Sequence, residues 1–117
     1  MPPRYKEEEV DVSTLTEESL AQVRFRLPDR RVGEMFGIAN KLLGASRIEV
    51  VCEDGKTRMG RIPGKLRKRM WIREGDLLII APWEFQDDKS DIRYRFTKTQ
   101  AVAMSRRKLL PKTIDIF

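Results

Sequence analysis

The sequence predicts a mainly β fold in which five short strands close into a small barrel, with a short helix between strands three and four and a C-terminal helix. Three observations predict it. Apolar and polar residues alternate at a period of two in "RIEVVCED" (47–54) and "DIRYRF" (91–96). An Asp-Gly pair in "EDGK" (53–56) marks a hairpin turn. The 117 residues, 40% hydrophobic, supply one core and not two. The expected organisation is an acidic N-terminal tail over 1–28, a barrel over 29–96, and a C-terminal helix and tail over 97–117.

Taken in order, "TEESLAQVRF" (16–25) has the makings of a short helix, with Thr16 as N-cap, Glu17 and Glu18 at its positive end, and Leu20 and Val23 on one face. In "VGEMFGIANKLLG" (32–44) Phe36, Ile38 and Leu42 share a face, and Gly33 and Gly37 let a long strand bend. The second strand points Ile48, Val50 and Cys52 one way and Arg47, Glu49 and Glu53 the other. After the turn, "KTRMGRI" (56–62) is the third strand, and "GDLLIIAPW" (75–83) is a buried fourth strand stopped by Pro82. In the fifth, Ile92, Tyr94 and Phe96 point inward, Arg93 and Arg95 outward. "GKLRKRMW" (64–71) is too short for a stable free helix and must be held by packing. Thr97 and Gln100 form a capping box for the last helix, whose final turn carries Arg106, Arg107 and Lys108. Three strands, a short helix and two strands is the order of the OB-fold barrel, which commonly binds nucleic acid.

Charge is concentrated. Lys56, Arg58, Arg61, Lys65, Arg67, Lys68, Arg69 and Arg73 fall between residues 56 and 73 without one anion. That stretch contributes +8 to a total of +6, so the rest of the chain sums to −2. A focused block of this kind attracts a polyanion and steers its approach, whereas dispersed lysine serves solubility. Long cations with the bidentate fork of Arg suit phosphate, and contacts to roughly six phosphates make affinity fall about a thousandfold between 50 and 200 mM salt. Gly60 and Gly64 let backbone come close to such a ligand, and Pro63 stiffens the approach to the helix.

The absence of histidine and the single cysteine, Cys52, remove His-based acid–base chemistry, Cys/His zinc sites and intrachain disulfides. Cys52 lies in an apolar alternation and reads as a small core residue. The opening "MPPRYKEEEVDV" lacks the apolar stretch of a secretory leader, and "LLIIAPW" is too short to span a bilayer, so a cytoplasmic, monomeric protein that avoids membranes is expected. Asp87, Asp88 and Asp91 match no calcium loop; a solvated turn is favoured over a metal-dependent hydrolase. No cofactor, metal or enzymatic activity is expected.

Aromatic placement narrows the ligand. Strands two and three carry no aromatic residue on which single-stranded bases would stack, so docking on folded RNA through phosphate and 2′-hydroxyl contacts is preferred over a general single-stranded RNA chaperone. Trp71, at the end of the basic helix, either plugs the barrel base or stacks on a nucleotide.

Residues 41–100, and above all "GRIPGKLRKRMWIREGD" (60–76), resemble the translation initiation factor 1A family of archaea and eukaryotes, with the archaeal branch nearer. The resemblance implies a non-enzymatic factor at the decoding region of the small ribosomal subunit. There it keeps tRNA out of the aminoacyl site and assists start-codon selection with initiation factors 1 and 2 and initiator tRNA. It assigns RNA contact to Arg47, Lys56, Arg58, Arg61, Lys65, Arg67, Lys68, Arg69 and Arg73; strand alternation adds Arg31, Arg93 and Arg95 as weaker candidates. It also implies that Ile114, Ile116 and Phe117 of "KTIDIF" touch the subunit-joining GTPase, initiation factor 5B. The acidic start of this chain departs from the basic tails common in that family.

Overall fold

The computed structural model describes residue 16 and residues 20–44, 46–64 and 72–117. Five strands, β1 (Met35–Gly44), β2 (Arg47–Cys52), β3 (Thr57–Arg61), β4 (Leu77–Pro82) and β5 (Lys89–Arg95), close into a barrel in the order β1-β2-β3-β5-β4. All neighbouring pairs are antiparallel except β3 with β5. A mainly β, five-stranded OB-type barrel with one C-terminal helix, α1 (Lys98–Arg106), is therefore what the sequence builds. Most of the helix expected between β3 and β4 lies outside the described residues, as does the segment 17–19 of the N-terminal helix. Among the described residues no helix is long and apolar enough to cross a membrane.

Strand alternation divides the apolar residues between two sides of the barrel wall. Val50, Cys52, Ile48, Leu78, Ile80 and Ile92 fill the interior together with Ala39, Ile62 and Ile72. Phe36, Ile38, Leu77, Ile79 and Phe96 point the other way, where Ala101 and Met104 of α1 and Leu110 and Ile114 beyond it cover them. β4 is thus apolar throughout because both of its faces are covered, which is the usual reason for an uninterrupted Leu/Ile run. A register shift between Ile79 and Ile80 opposite β5 lets Ile92 face the interior while Tyr94 and Phe96 pack on the helix side.

This arrangement corrects several expectations. Tyr94 and Phe96, expected inward, pack with Phe36 and Ile38 against α1, and the side of β1 turned to the interior is made of Gly37 and Ala39. A Cβ on Gly37 would stand 2.4 Å from Val50 Cγ1, so this glycine serves close packing and not strand bending. Gly60 is likewise interior, where a Cβ would meet Val50 Cγ2 and Ile92 Cδ1 at 3.0 Å; it brings strands together, not a ligand. Gly33 precedes β1 and ends a 3-10 turn (Arg30–Val32) in the left-handed region, at φ 80°. Leu42 does not join the buried face. Register shifts after Ala39 and after Leu42 break the alternation, and both Leu42 and Leu43 are exposed.

The turn chemistry behaves as read. Gly55 takes φ 86° in the β2–β3 hairpin, and the Asp54 carboxylate accepts the Lys56 N–H at 3.1 Å. Thr97 Oγ1 accepts the Gln100 N–H at 3.2 Å while Gln100 Oε1 accepts the Thr97 N–H at 2.9 Å, a complete capping box. Leu20 is buried against Val102 and Ala103 with Val23 beside it, so the two residues assigned to one face do pack together, onto α1. Arg26 then fastens the chain before β1 by pairing with the buried Glu34 at 2.8 Å.

Candidate nucleic-acid interface

The outward face of β2, β3 and β5 is set by the same alternation that fills the core. Ile48 and Val50 turn inward, so Arg47 turns outward, and antiparallel register places it opposite Arg61. Parallel pairing then sets Arg61 beside Asp91, whose Oδ1 accepts from Arg61 Nε at 3.2 Å. Lys89 and Arg93 share this face of β5 with Asp91, and Glu49 is the carboxylate of β2. Arg47 and Arg93 are exposed and make no ion pair among the described residues.

Trp83 follows β4 and lies against this face, with the Arg61 guanidinium 5.5 Å and the Lys89 ammonium 5.9 Å from its ring centre. Held by Asp91 on one side and by the indole on the other, Arg61 is ordered before any ligand arrives, which lowers the entropy cost of contact. In the sequence pattern Trp83 marks only the end of a strand. The signal that could have found it is an aromatic pair in a polar turn, "APWEFQDD" (81–88), and Phe85 of that pair is 94% exposed.

The other assigned cations are distributed less evenly. Lys56 is exposed at the hairpin and pairs with Asp87 at 3.0 Å. Arg73 is exposed in the turn before β4, where its N–H donates to Asp76 Oδ2 at 2.8 Å. Lys65, Arg67, Lys68 and Arg69 lie outside the described residues, together with Trp71. Arg31 is exposed and bonded to Asp29.

Arg58 corrects the sequence reading. Its side chain is 3% exposed, and the guanidinium donates to Asp54 Oδ2 at 2.8 Å, Asp87 Oδ2 at 3.1 Å and the Asp87 carbonyl at 2.6 Å. The reason is its parity in β3, where Arg58 and Gly60 turn inward and Thr57, Met59 and Arg61 outward. These bonds hold the Asp54 carboxyl below its ordinary range and push the Arg58 guanidinium further up, and the Lys56 ammonium, followed by Arg58, lowers Asp87 too. A cation spent on two of the protein's own acids staples the β2–β3 hairpin to the β4–β5 turn. Arg95, read as outward, is also tied down: its side chain is 8% exposed and Nε donates to Asp76 Oδ2 at 3.1 Å.

Two of the three clustered aspartates, Asp87 in the β4–β5 turn and Asp91 on β5, have the same fate. Asp87 serves Lys56 and Arg58, and Asp91 serves Arg61. No group of three or more metal-ligating side chains occurs among the described residues.

The C-terminal residues divide. Ile114 is buried in the helix-side core, Phe117 packs on it, and Ile116 is 66% exposed. Thr113 Oγ1 donates to the Glu53 carbonyl at 2.8 Å and Ser105 Oγ to Asp115 at 2.8 Å, so the tail lies down on its own barrel. The three residues assigned to a partner therefore do not form one exposed patch, and Ile114 belongs to the fold.

Comparison with known proteins identifies the family of the chain as a whole. A family profile described as "Translation initiation factor 1A / IF-1" matches residues 22–116. A translation initiation factor 1A from Thermoplasma volcanium is 61% identical over 101 residues, which is 86% of this chain and 80% of that protein. Its counterpart from Archaeoglobus fulgidus is 52% identical over 75% of this chain and 91% of its own length. Among solved structures, a solution structure of translation initiation factor 1 from a Wolbachia endosymbiont of Brugia malayi aligns over 62% of this chain and 86% of its own, at 23% identity and a TM-score of 0.44. With a match that runs from the N-terminal arm through the barrel to the tail, the chain belongs to the translation initiation factor 1A family.

Proposed function

We propose that this initiation factor binds the small ribosomal subunit over the aminoacyl site of the decoding region, blocks tRNA entry there, and assists start-codon selection and placement of initiator tRNA. The observation that carries the proposal is the family match over residues 22–116, which contains the whole anion-free cationic stretch. The outward Arg47, Arg61 and Arg93 support it by supplying phosphate-binding forks on one barrel face. Its ligand is folded ribosomal RNA, and its companions are initiation factors 1, 2 and 5B. The chain acts by binding and occupies space; no bond is made or broken.

A general single-stranded RNA chaperone is the less favoured reading. The outward residues Val51, Thr57 and Met59 of the β2–β3 face offer no stacking surface along which a strand would run. The test is tRNA binding to the aminoacyl site of isolated small subunits carrying a start codon and initiator tRNA. Addition of the protein is expected to exclude the second tRNA at low salt and to lose that effect as salt rises. Unimpeded tRNA entry at saturating protein would overturn the proposal.

A further inference from the structure

A cavity of about 870 Å³ opens at the β4–β5 turn, beside the cationic face, with Trp83 and Phe85 in its wall. Its charged lining is Arg31, Arg93, Glu84 and Asp91. The Asp91 carboxylate is occupied by Arg61, and Arg31 by Asp29, while Arg93 is exposed and has no anionic partner among the described residues. Among the described residues Phe85 is the most exposed of the large apolar side chains, and the other aromatic rings are buried or half-buried. An apolar ring held in water beside an uncompensated guanidinium suits a ligand that is flat on one side and anionic on the other.

We infer that this cavity takes one unpaired RNA nucleotide, its base stacked on Phe85 and its phosphate paired with Arg93. The inference rests on the RNA-binding reading above and adds a contact of a second kind. The outer face of β2 and β3 grips phosphates, and the β4–β5 turn stacks a base. Trp83 links the two, since its ring lines the cavity and carries the Arg61 and Lys89 cations that flank the phosphate path.

The probe is a uridine–2-aminopurine–uridine trinucleotide, whose central base loses fluorescence when it stacks on an aromatic ring. The wild-type chain is expected to quench it saturably, Phe85→Ala to weaken the apparent affinity about tenfold, and Phe85→Tyr to stay within about twofold of wild type. Arg93→Gln is expected to weaken binding and flatten its salt dependence. Equal affinity for wild type and Phe85→Ala, or no quenching by the wild type, would overturn the inference. Phe85 is exposed, so unchanged melting temperatures should confirm that the variants fold. Quenching that depends on Phe85 in a protein that admits tRNA to the aminoacyl site would leave this pocket standing and sink the decoding-site reading. Exclusion of tRNA without quenching would do the reverse.

Discussion

Arg58 and Asp54 face each other across the β2–β3 hairpin with Nη2 and Oδ2 2.8 Å apart, and the guanidinium is closed off from solvent. This pair separates the cations that build the protein from those free to meet a ligand.

Replacing Arg58 with alanine strands Asp54 and removes the bonds that hold the Asp87 carbonyl. We expect a loss of about 2–3 kcal/mol, below the range for a fully buried pair because both acids retain contact with water. Arg58→Lys should recover part of it, since an ammonium cannot reproduce the fork. Urea denaturation checks both values; a change under about 0.5 kcal/mol in Arg58→Ala would remove the structural role.

Acid should weaken the same staple. Hydrogen bonds from Arg58 lower the Asp54 carboxyl in the folded protein, so below its unfolded value of about 3.9 the unfolded chain binds more protons. The contribution is complete above about pH 5 and is lost as pH falls through the folded value. Asp54→Asn should be less stable than wild type at pH 7 and should converge with it toward pH 2. A constant gap across that range would contradict the assignment.

Gly37 and Gly60 test the close approach of strands. Gly37→Ala forces a methyl to within 2.4 Å of Val50 Cγ1 and should destabilise by about 1–3 kcal/mol. Gly60→Ala, with contacts at 3.0 Å, should cost less. Thermal unfolding distinguishes this order from the reverse.

The C-terminal residues should behave differently from one another. Ile114→Ala removes a core side chain and should cost about 2–4 kcal/mol, whereas Ile116→Ala should stay within about 0.5 kcal/mol. If the melting temperatures of the two variants fall together or not at all, the tail does not pack as described.

Much of this was legible in the sequence because local rules and tertiary packing agreed. The Asp54-Gly55 hairpin, the Thr97–Gln100 capping box and the inward Ile48, Val50 and Cys52 follow from turn chemistry, capping and period two. What period two does not reveal is which side of a barrel wall a buried face meets. Tyr94 and Phe96 read as inward beside Ile92, yet they pack with Phe36 and Ile38 on the α1 side, because nothing in the alternation of β5 marks its register shift or the helix that covers them. The charged residues were harder for the same reason. Arg58 looks like its neighbours in a basic run, and its burial depends on Asp87, brought to it by the parallel β3–β5 pairing. Phe85 escapes a periodic reading because an exposed aromatic in a turn leaves no periodic signal.

The central claim is that outward cations of the β2–β3 face hold the protein on the small subunit while inward ones hold the fold. Co-sedimentation with isolated small subunits, for the Arg47→Gln/Arg61→Gln variant, which sets no new carboxylate against Asp91, against wild type, tests it most directly. Exposed charges contribute little to stability, so the variant should melt within a few degrees of wild type yet fail to co-migrate at a salt concentration where wild type binds. Undiminished co-migration of a folded double variant would contradict the account.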